Sequence, residues 1–148
     1  MKIGIIGTGY VGLVTGACFS HVGNDVYCMD IDQNKIEGLK NGIVPIYEDK
    51  LDDIISGSLS NHRLHFTTDI EDIIKNTELI FLAVSTPMDD DGSCNLEYII
   101  NAANQIGKHI DTYKVIVVKS TVPVGTTILI EESIKKQIEK RGEKISFD

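Results

Sequence analysis

Three glycines fall close together near the start of the chain, at Gly7, Gly9 and Gly12. The spacing G-x-G-x-x-G is what a polypeptide needs if an anionic diphosphate is to lie against bare main chain. Gly7 permits a tight turn. Gly9 removes a Cβ where a pyrophosphate would approach, and Gly12 lets a helix pack closely on a strand. The stretch before the glycines, Lys2–Ile6, is apolar and β-prone, and the stretch after them has helical spacing. Tyr10 and Val11 therefore sit in a first helical turn, where unpaired N–H groups and the positive dipole end suit phosphate oxygens. The apolar face of that helix is expected to run through Val11, Val14, Cys18 and Phe19.

An acidic residue about 20 positions further on completes this pattern. Asp30 ends the segment "DVYCMD", 18 residues after Gly12. A carboxylate at the end of a second strand accepts hydrogen bonds from the ribose hydroxyls of an adenosine and repels a 2′-phosphate, which favours NAD over NADP. Asp32 is better placed to cap the following helix, Gln33–Lys40, and Lys35 in that helix's first turns is near enough to reach the ribose edge. Two later segments, "VSTP" (Val84–Pro87) and "KSTVPVGT" (Lys119–Thr126), each follow a short apolar run. They place Ser85, Thr86 and Pro87, and then Ser120 and Thr121, at the carboxyl ends of strands, where ligands bind in open α/β sheets. Small hydroxyls there can donate and accept toward a nicotinamide ribose without adding charge. Helix capping is an equally good account of Ser120 and Thr126, with Pro123 near a helix start.

Other chemistries find less support. The three cysteines, Cys18, Cys28 and Cys94, form no C-x-x-C pair and no even-numbered framework. Cys18 and Cys28 are expected to pack inside, and acids flanking Cys94 in "DDDGSC" disfavour a thiolate. His21, His62, His65 and His109 show no ligand spacing. The run Asp89–Asp91 reads as a solvated loop, so no metal is expected. The net charge of −8 argues against nucleic acid as a partner, since phosphate-backbone binding needs a basic stripe. No apolar run approaches the ~20 residues that span a bilayer. The N-terminus carries no signal-peptide pattern, and free cysteines suit a reducing, cytoplasmic compartment.

The elements that must hold these residues alternate along the chain. Strands are expected at Lys2–Ile6, Asp25–Met29, Arg63–Thr67, Leu79–Val84 and Lys114–Lys119. Helices are expected at Tyr10–Val22, Gln33–Lys40, Leu51–Ser56, Ile70–Lys75, Leu96–His109 and Thr126–Arg141. Such alternation predicts a doubly wound parallel sheet with helices on both faces, in the order 3-2-1-4-5, as one domain over residues 1–148. The segments "LIFLAV" and "VIVV" lack in/out alternation and are expected to be central strands buried on both faces. "EKISFD" (Glu143–Asp148) reads as the start of a sixth strand, as though a second half of the sheet were to follow.

Taken in order, "GIIGTGYVGLVTG", "PIYE", "VSTPMDDDGSCNLEYI" and "KSTVPVGT" resemble the N-terminal domain of the UDP-glucose/GDP-mannose dehydrogenases, nearest the UDP-glucose-oxidising members. The resemblance covers nearly the whole chain. It implies a Rossmann fold that binds NAD, with contacts at Val11, Asp30, Lys35, Thr86 and Thr121, the last also ordering a water near the reacting carbon. It implies that the parent enzyme oxidises the 6-hydroxyl of a nucleotide sugar in two NAD-dependent hydride transfers. The family's thiol nucleophile, lysine, asparagine and aspartate would then lie beyond residue 148, as would its dimer-forming helix and a glutamate in an "N-P-E-F" segment. The chain alone is expected to bind NAD without turnover. "PIYE" puts Glu48 at an acidic loop position where the family usually continues Glu-Pro-Gly, whereas this chain reads Glu48-Asp49-Lys50. Regulatory nucleotide-sensing modules of channels and transporters share the glycine turn, as do hydroxyacid and 6-phosphogluconate-type dehydrogenases. The paired hydroxyl–proline loops set this chain apart from the regulatory modules, and "GYVG" together with "KSTVPVGT" points away from the related dehydrogenases.

Overall fold

The computed structural model describes residues 1–148. Five strands, β1 (Lys2–Ile6), β2 (Asp25–Met29), β3 (Leu64–Thr67), β4 (Leu79–Leu82) and β5 (Val115–Val118), form one sheet in the order β3-β2-β1-β4-β5. Every pairing is parallel. Six helices connect them: α1 (Tyr10–His21), α2 (Gln33–Lys40), α3 (Leu51–Ser60), α4 (Ile70–Asn76), α5 (Glu97–His109) and α6 (Thr126–Lys140). The strand order is the one expected of right-handed crossovers that start at β1 and wind outward in both directions.

The alternation of side chains along each strand builds two cores. Ile3, Ile5, Val26, Cys28, Leu64 and Phe66 face one way and pack with Leu13 and Ala17 of α1, Ile36 and Leu39 of α2, and Leu51 and Ile55 of α3. Ile6, Met29, Ile80 and Leu82 face the other way, against Ile73 and Ile74 of α4, Ile99, Ala103 and Ile106 of α5, and Ile130, Ile134 and Ile138 of α6. The result is a three-layer α/β/α domain in which β1 is buried on both faces. Burial of both faces explains why its sequence does not alternate.

Three expectations need correction. The face of α1 turned to the sheet is Gly12, Leu13, Gly16, Ala17 and Ser20. Cys18 is exposed, Val11 is exposed, and Val14 and Phe19 are only partly covered. Close approach decides this: a Cβ on Gly16 would lie 2.5 Å from Cys28 Sγ, so small residues rather than large apolar ones meet the strands. The run "VIVV" is not central. It is β5, the edge strand, and each of its residues is only half-buried. Its outer edge is met by the end of the chain, where Phe147 bridges Lys114 in parallel and Ile116 N–H donates to the Asp148 carbonyl at 2.6 Å. The expectation for Glu143–Asp148 thus materialises as a single bridge in the direction of a sixth strand. Finally, β4 and β5 end earlier than expected, at Leu82 and Val118, and it is this early departure that opens a crevice at their carboxyl ends.

Candidate cofactor-binding site

The carboxyl edge of the sheet gathers the candidate residues. Gly7 continues the β1–β2 ladder, its N–H donating to the Met29 carbonyl at 2.8 Å, and then turns the chain with φ 102°. A Cβ on Gly7 would meet the Ala83 carbonyl oxygen at 2.5 Å, and one on Gly12 would meet the Gly7 carbonyl oxygen at 1.9 Å. The fold itself therefore demands glycine at both positions. Gly9 differs. Its backbone is extended, with φ −68° and ψ −173°, which any residue tolerates. A Cβ there would meet nothing within 4 Å. The protein leaves open space at the one glycine of the three that folding does not require.

Gly9 is also the N-cap of α1, and no side chain caps that helix. The N–H groups of Tyr10, Val11 and Gly12 donate to no acceptor within the protein, and the first turn holds no acidic residue. Free donors and the helix dipole thus converge on the space beside Gly9, the arrangement that binds phosphate groups at helix N-termini.

Asp30 follows β2 and turns toward the glycine loop. Its Oδ2 accepts from the Thr8 N–H at 3.0 Å, the Thr8 hydroxyl at 2.8 Å and Lys35 Nζ at 2.9 Å, while Oδ1 accepts from the Asp32 N–H at 3.1 Å. Burial pushes the Asp30 carboxyl upward, but the hydrogen bonds from Lys35, Asp32 and Thr8 outweigh it and hold the group below its ordinary value. Asp32 caps α2 as expected, its carboxylate accepting from the Lys35 N–H at 3.1 Å. Lys35 reaches Asp30 and not open solvent alone, so the two charged candidates form one ion pair.

At the other half of the crevice, the loops after β4 and β5 meet. The Thr86 hydroxyl donates to the Thr121 carbonyl at 2.9 Å. The Ser120 hydroxyl donates to the Val84 carbonyl at 2.7 Å and ties the two loops together, so it does not cap α6, while its oxygen keeps acceptor capacity toward the crevice. The N-cap of α6 is Gly125, and Thr126 is the first helical residue and buried. Ser85 and Pro87 are exposed on the crevice-side loop, and Pro87 anchors the following hairpin by accepting from the Asn95 N–H at 2.8 Å. Thr86, Thr121, Val122 and Pro123 line an open depression of about 410 Å³ together with Met88, Gly92, Ser93 and Cys94.

The remaining candidates are accounted for locally. Cys28 is buried, and burial pushes its thiol up to about 12. Asp89 and Asp91 accept hydrogen bonds from the Asn95 side chain and the Ser93 N–H within their own loop. His65 pairs with Asp25 at 2.8 Å and stacks on Tyr27, and His109 faces Glu71 at 3.5 Å. The loop after Glu48 keeps a left-handed residue where the family usually has glycine: Lys50 adopts φ 63° and ψ 3°.

Sequence reasoning missed Thr8. It is 1% exposed and joins the glycine turn to the acid across the sheet edge. The available signal was positional. Ile6 pairs with Met29, which sets Gly7 opposite Asp30 and leaves Thr8, the next residue, within reach of the acid.

These features are those of a known family. The UDP-glucose/GDP-mannose dehydrogenase family, NAD binding domain, matches residues 1–148. This chain belongs to that family. It is 50% identical over 147 residues to UDP-glucose 6-dehydrogenase TuaD of Bacillus subtilis, covering 99% of the chain and 31% of that protein. It is 40% identical over 141 residues to UDP-glucose 6-dehydrogenase of Pseudomonas aeruginosa, again covering 31% of the relative. Among solved structures, GDP-mannose dehydrogenase from Pseudomonas aeruginosa superposes with a TM-score of 0.91 at 30% identity, covering 99% of this chain and 35% of that one. UDP-glucose dehydrogenase from Pyrobaculum islandicum gives a TM-score of 0.91 at 34% identity, covering 99% and 34%. The chain thus spans about a third of the length of the relatives it matches. As a family domain it binds NAD, and the open space at Gly9, the free N–H groups and the Asp30–Lys35 pair fit a dinucleotide's diphosphate and ribose.

Proposed function

We propose that these residues form the cofactor half of an enzyme that oxidises the 6-hydroxyl of UDP-glucose to a carboxylate in two NAD-dependent steps. The observation that carries the cofactor half of the reading is the open Cβ position at Gly9, bordered by unpaired N–H groups, and the choice of UDP-glucose rests on the 50% identity to a UDP-glucose 6-dehydrogenase. NAD, when bound, supplies the hydride acceptor. The protein's own contribution is placement. Gly9, Tyr10 and Val11 receive the diphosphate, Asp30 and Lys35 hold the adenosine ribose, and Thr86 with Thr121 border the nicotinamide ribose. The Thr121 side chain takes part in no hydrogen bond within the protein, which leaves its hydroxyl free for a water or a ligand.

In this reading the 148 residues supply no nucleophile. Cys28 is buried with its thiol held protonated. Cys18 lies exposed on α1. Cys94 sits on a hairpin beside the crevice, with no histidine or lysine hydrogen-bonded to it that could serve as its base. The nucleotide sugar, a homodimer formed by other segments of the parent and a cytoplasmic setting complete the proposal. No helix is long and apolar enough to cross a membrane. Calorimetric titration tests the cofactor half: NAD binds, and absence of heat up to millimolar NAD would contradict the reading. Formation of NADH from UDP-glucose by the 148-residue chain would contradict the claim that the nucleophile lies elsewhere.

A further inference from the structure

We infer that Thr8, a position the glycine pattern leaves free, is a positioning residue that sets the preference for NAD over NADP by fixing Asp30. The inference rests on the cofactor reading given above and adds a residue to it. Thr8 is 1% exposed, and both of its donors go to one oxygen, Asp30 Oδ2. Lys35 Nζ donates to that same oxygen, and only the Asp32 N–H reaches Oδ1. A carboxylate has about four lone-pair sites in all. Oδ2 is therefore fully committed inward, and the carboxylate's open acceptor capacity is confined to Oδ1. Thr8 acts from the turn side and Asp32 from the helix side, so the carboxylate is held between them and presents one oxygen edge outward.

The pairing with Lys35 changes how a 2′-phosphate is refused. An ammonium 2.9 Å from Oδ2 offsets the charge of Asp30, and a neutral pair repels a phosphate far less than a bare carboxylate does. Charge alone is then a weak discriminator. Position is the stronger one: a carboxylate pinned with Oδ1 outward presents an acceptor where the 2′-hydroxyl can donate and a phosphate cannot, and Lys35 stays engaged with Oδ2. Thr8 supplies the pin, because its hydroxyl is the only side-chain donor that reaches Asp30 from the β1 side of the site.

Thr8→Val keeps the shape and removes the hydroxyl, and Thr8→Ser keeps the hydroxyl. Calorimetric dissociation constants for NAD and NADP, with a thermal melt of each variant, separate positioning from packing. Thr8→Val is expected to weaken NAD by about fivefold to tenfold, the scale of one ordinary net hydrogen bond, since Thr8 acts on the ligand only through Asp30. NADP is expected to change by less than about twofold, so the preference narrows. Thr8→Ser is expected to restore the parent's ratio. If Thr8→Val lowers the melting temperature but keeps the parent's NAD/NADP ratio, Thr8 only packs and the inference is wrong. Should Thr8→Val fail to fold, Thr8→Ala, which introduces no new contact, carries the same expectations. Failure of the unmutated chain to bind NAD would overturn the cofactor reading instead, and it would be seen before any variant is compared.

Discussion

Gly9→Ala separates what the fold requires from what the ligand requires. The backbone at Gly9 is ordinary for an L-residue, and the new methyl would meet no atom within 4 Å, so no steric penalty is expected. Alanine is a poorer N-cap than glycine by roughly 0.5–1 kcal/mol. Restricting the unfolded chain returns about 0.4–1 kcal/mol. The net change is near zero, and the melting temperature should move by no more than about 2 °C. Binding should behave very differently. Charge-assisted hydrogen bonds from N–H to phosphate span about 2.7–2.9 Å, and a methyl cannot share that gap. Loss of two such bonds, each worth about 1.5–3 kcal/mol, predicts at least a hundredfold weaker NAD binding. Gly9→Val should be weaker still. The assay is a calorimetric NAD titration beside a thermal melt. Binding within threefold of the parent, with an unchanged melt, would refute the reasoning, since the diphosphate could not then pass over Gly9.

Further expectations come from the same geometry. Asp30→Ala should weaken NAD by about 1–3 kcal/mol and NADP by less, as measured by calorimetry. Because the folded-state pKa of Asp30 is depressed, its ionised form contributes stability above the unfolded value of about 3.9, and that contribution is lost as pH falls through the folded value. Denaturant melts at acid pH should therefore show the parent losing more stability than Asp30→Ala below about pH 4. A thiol reagent should modify Cys18 quickly, reach Cys94, and spare Cys28 until denaturant is added, because Cys28 is buried and its thiol is pushed up to about 12. Lys50→Gly should stabilise the chain by up to about 1 kcal/mol in a denaturant melt, since it relieves a left-handed conformation at φ 63°. A destabilisation would mean that the Lys50 side chain makes a contribution larger than that strain.

The fold was legible where local rules act alone. The strand–glycine–helix unit and the alternation of short and long elements led to the observed order, because crossover handedness leaves few choices. The acid at Asp30 and the cap at Asp32 were legible because each depends on a short spacing. What the sequence hid depends on contacts between distant residues. The face of α1 was misread because hydrophobicity ranks Val11 and Cys18 above Gly12 and Gly16, whereas proximity to Cys28 selects the glycines. Helix α3 runs to Ser60, past Gly57 and Ser58, which break the apolar pattern; Ser58 is buried against Ser20 through a hydrogen bond of 2.9 Å that links residues 38 apart. Capping by Ser120 was a fair expectation because its acceptor, the Val84 carbonyl, lies 36 residues away in the loop after β4. The expected order already put β5 at the edge, yet its apolar run suggested a central strand, because Ile116 and Val118 pack against the core while the strand as a whole stays only partly covered.

The most direct test follows the backbone amides of Gly9, Tyr10, Val11 and Gly12 by nuclear magnetic resonance as NAD is added to the isotopically labelled chain. Their resonances should show the largest shifts of any amides and gain protection from exchange, and Asp30 should respond alongside them. Saturable NAD binding that leaves these four amides unmoved would contradict the account.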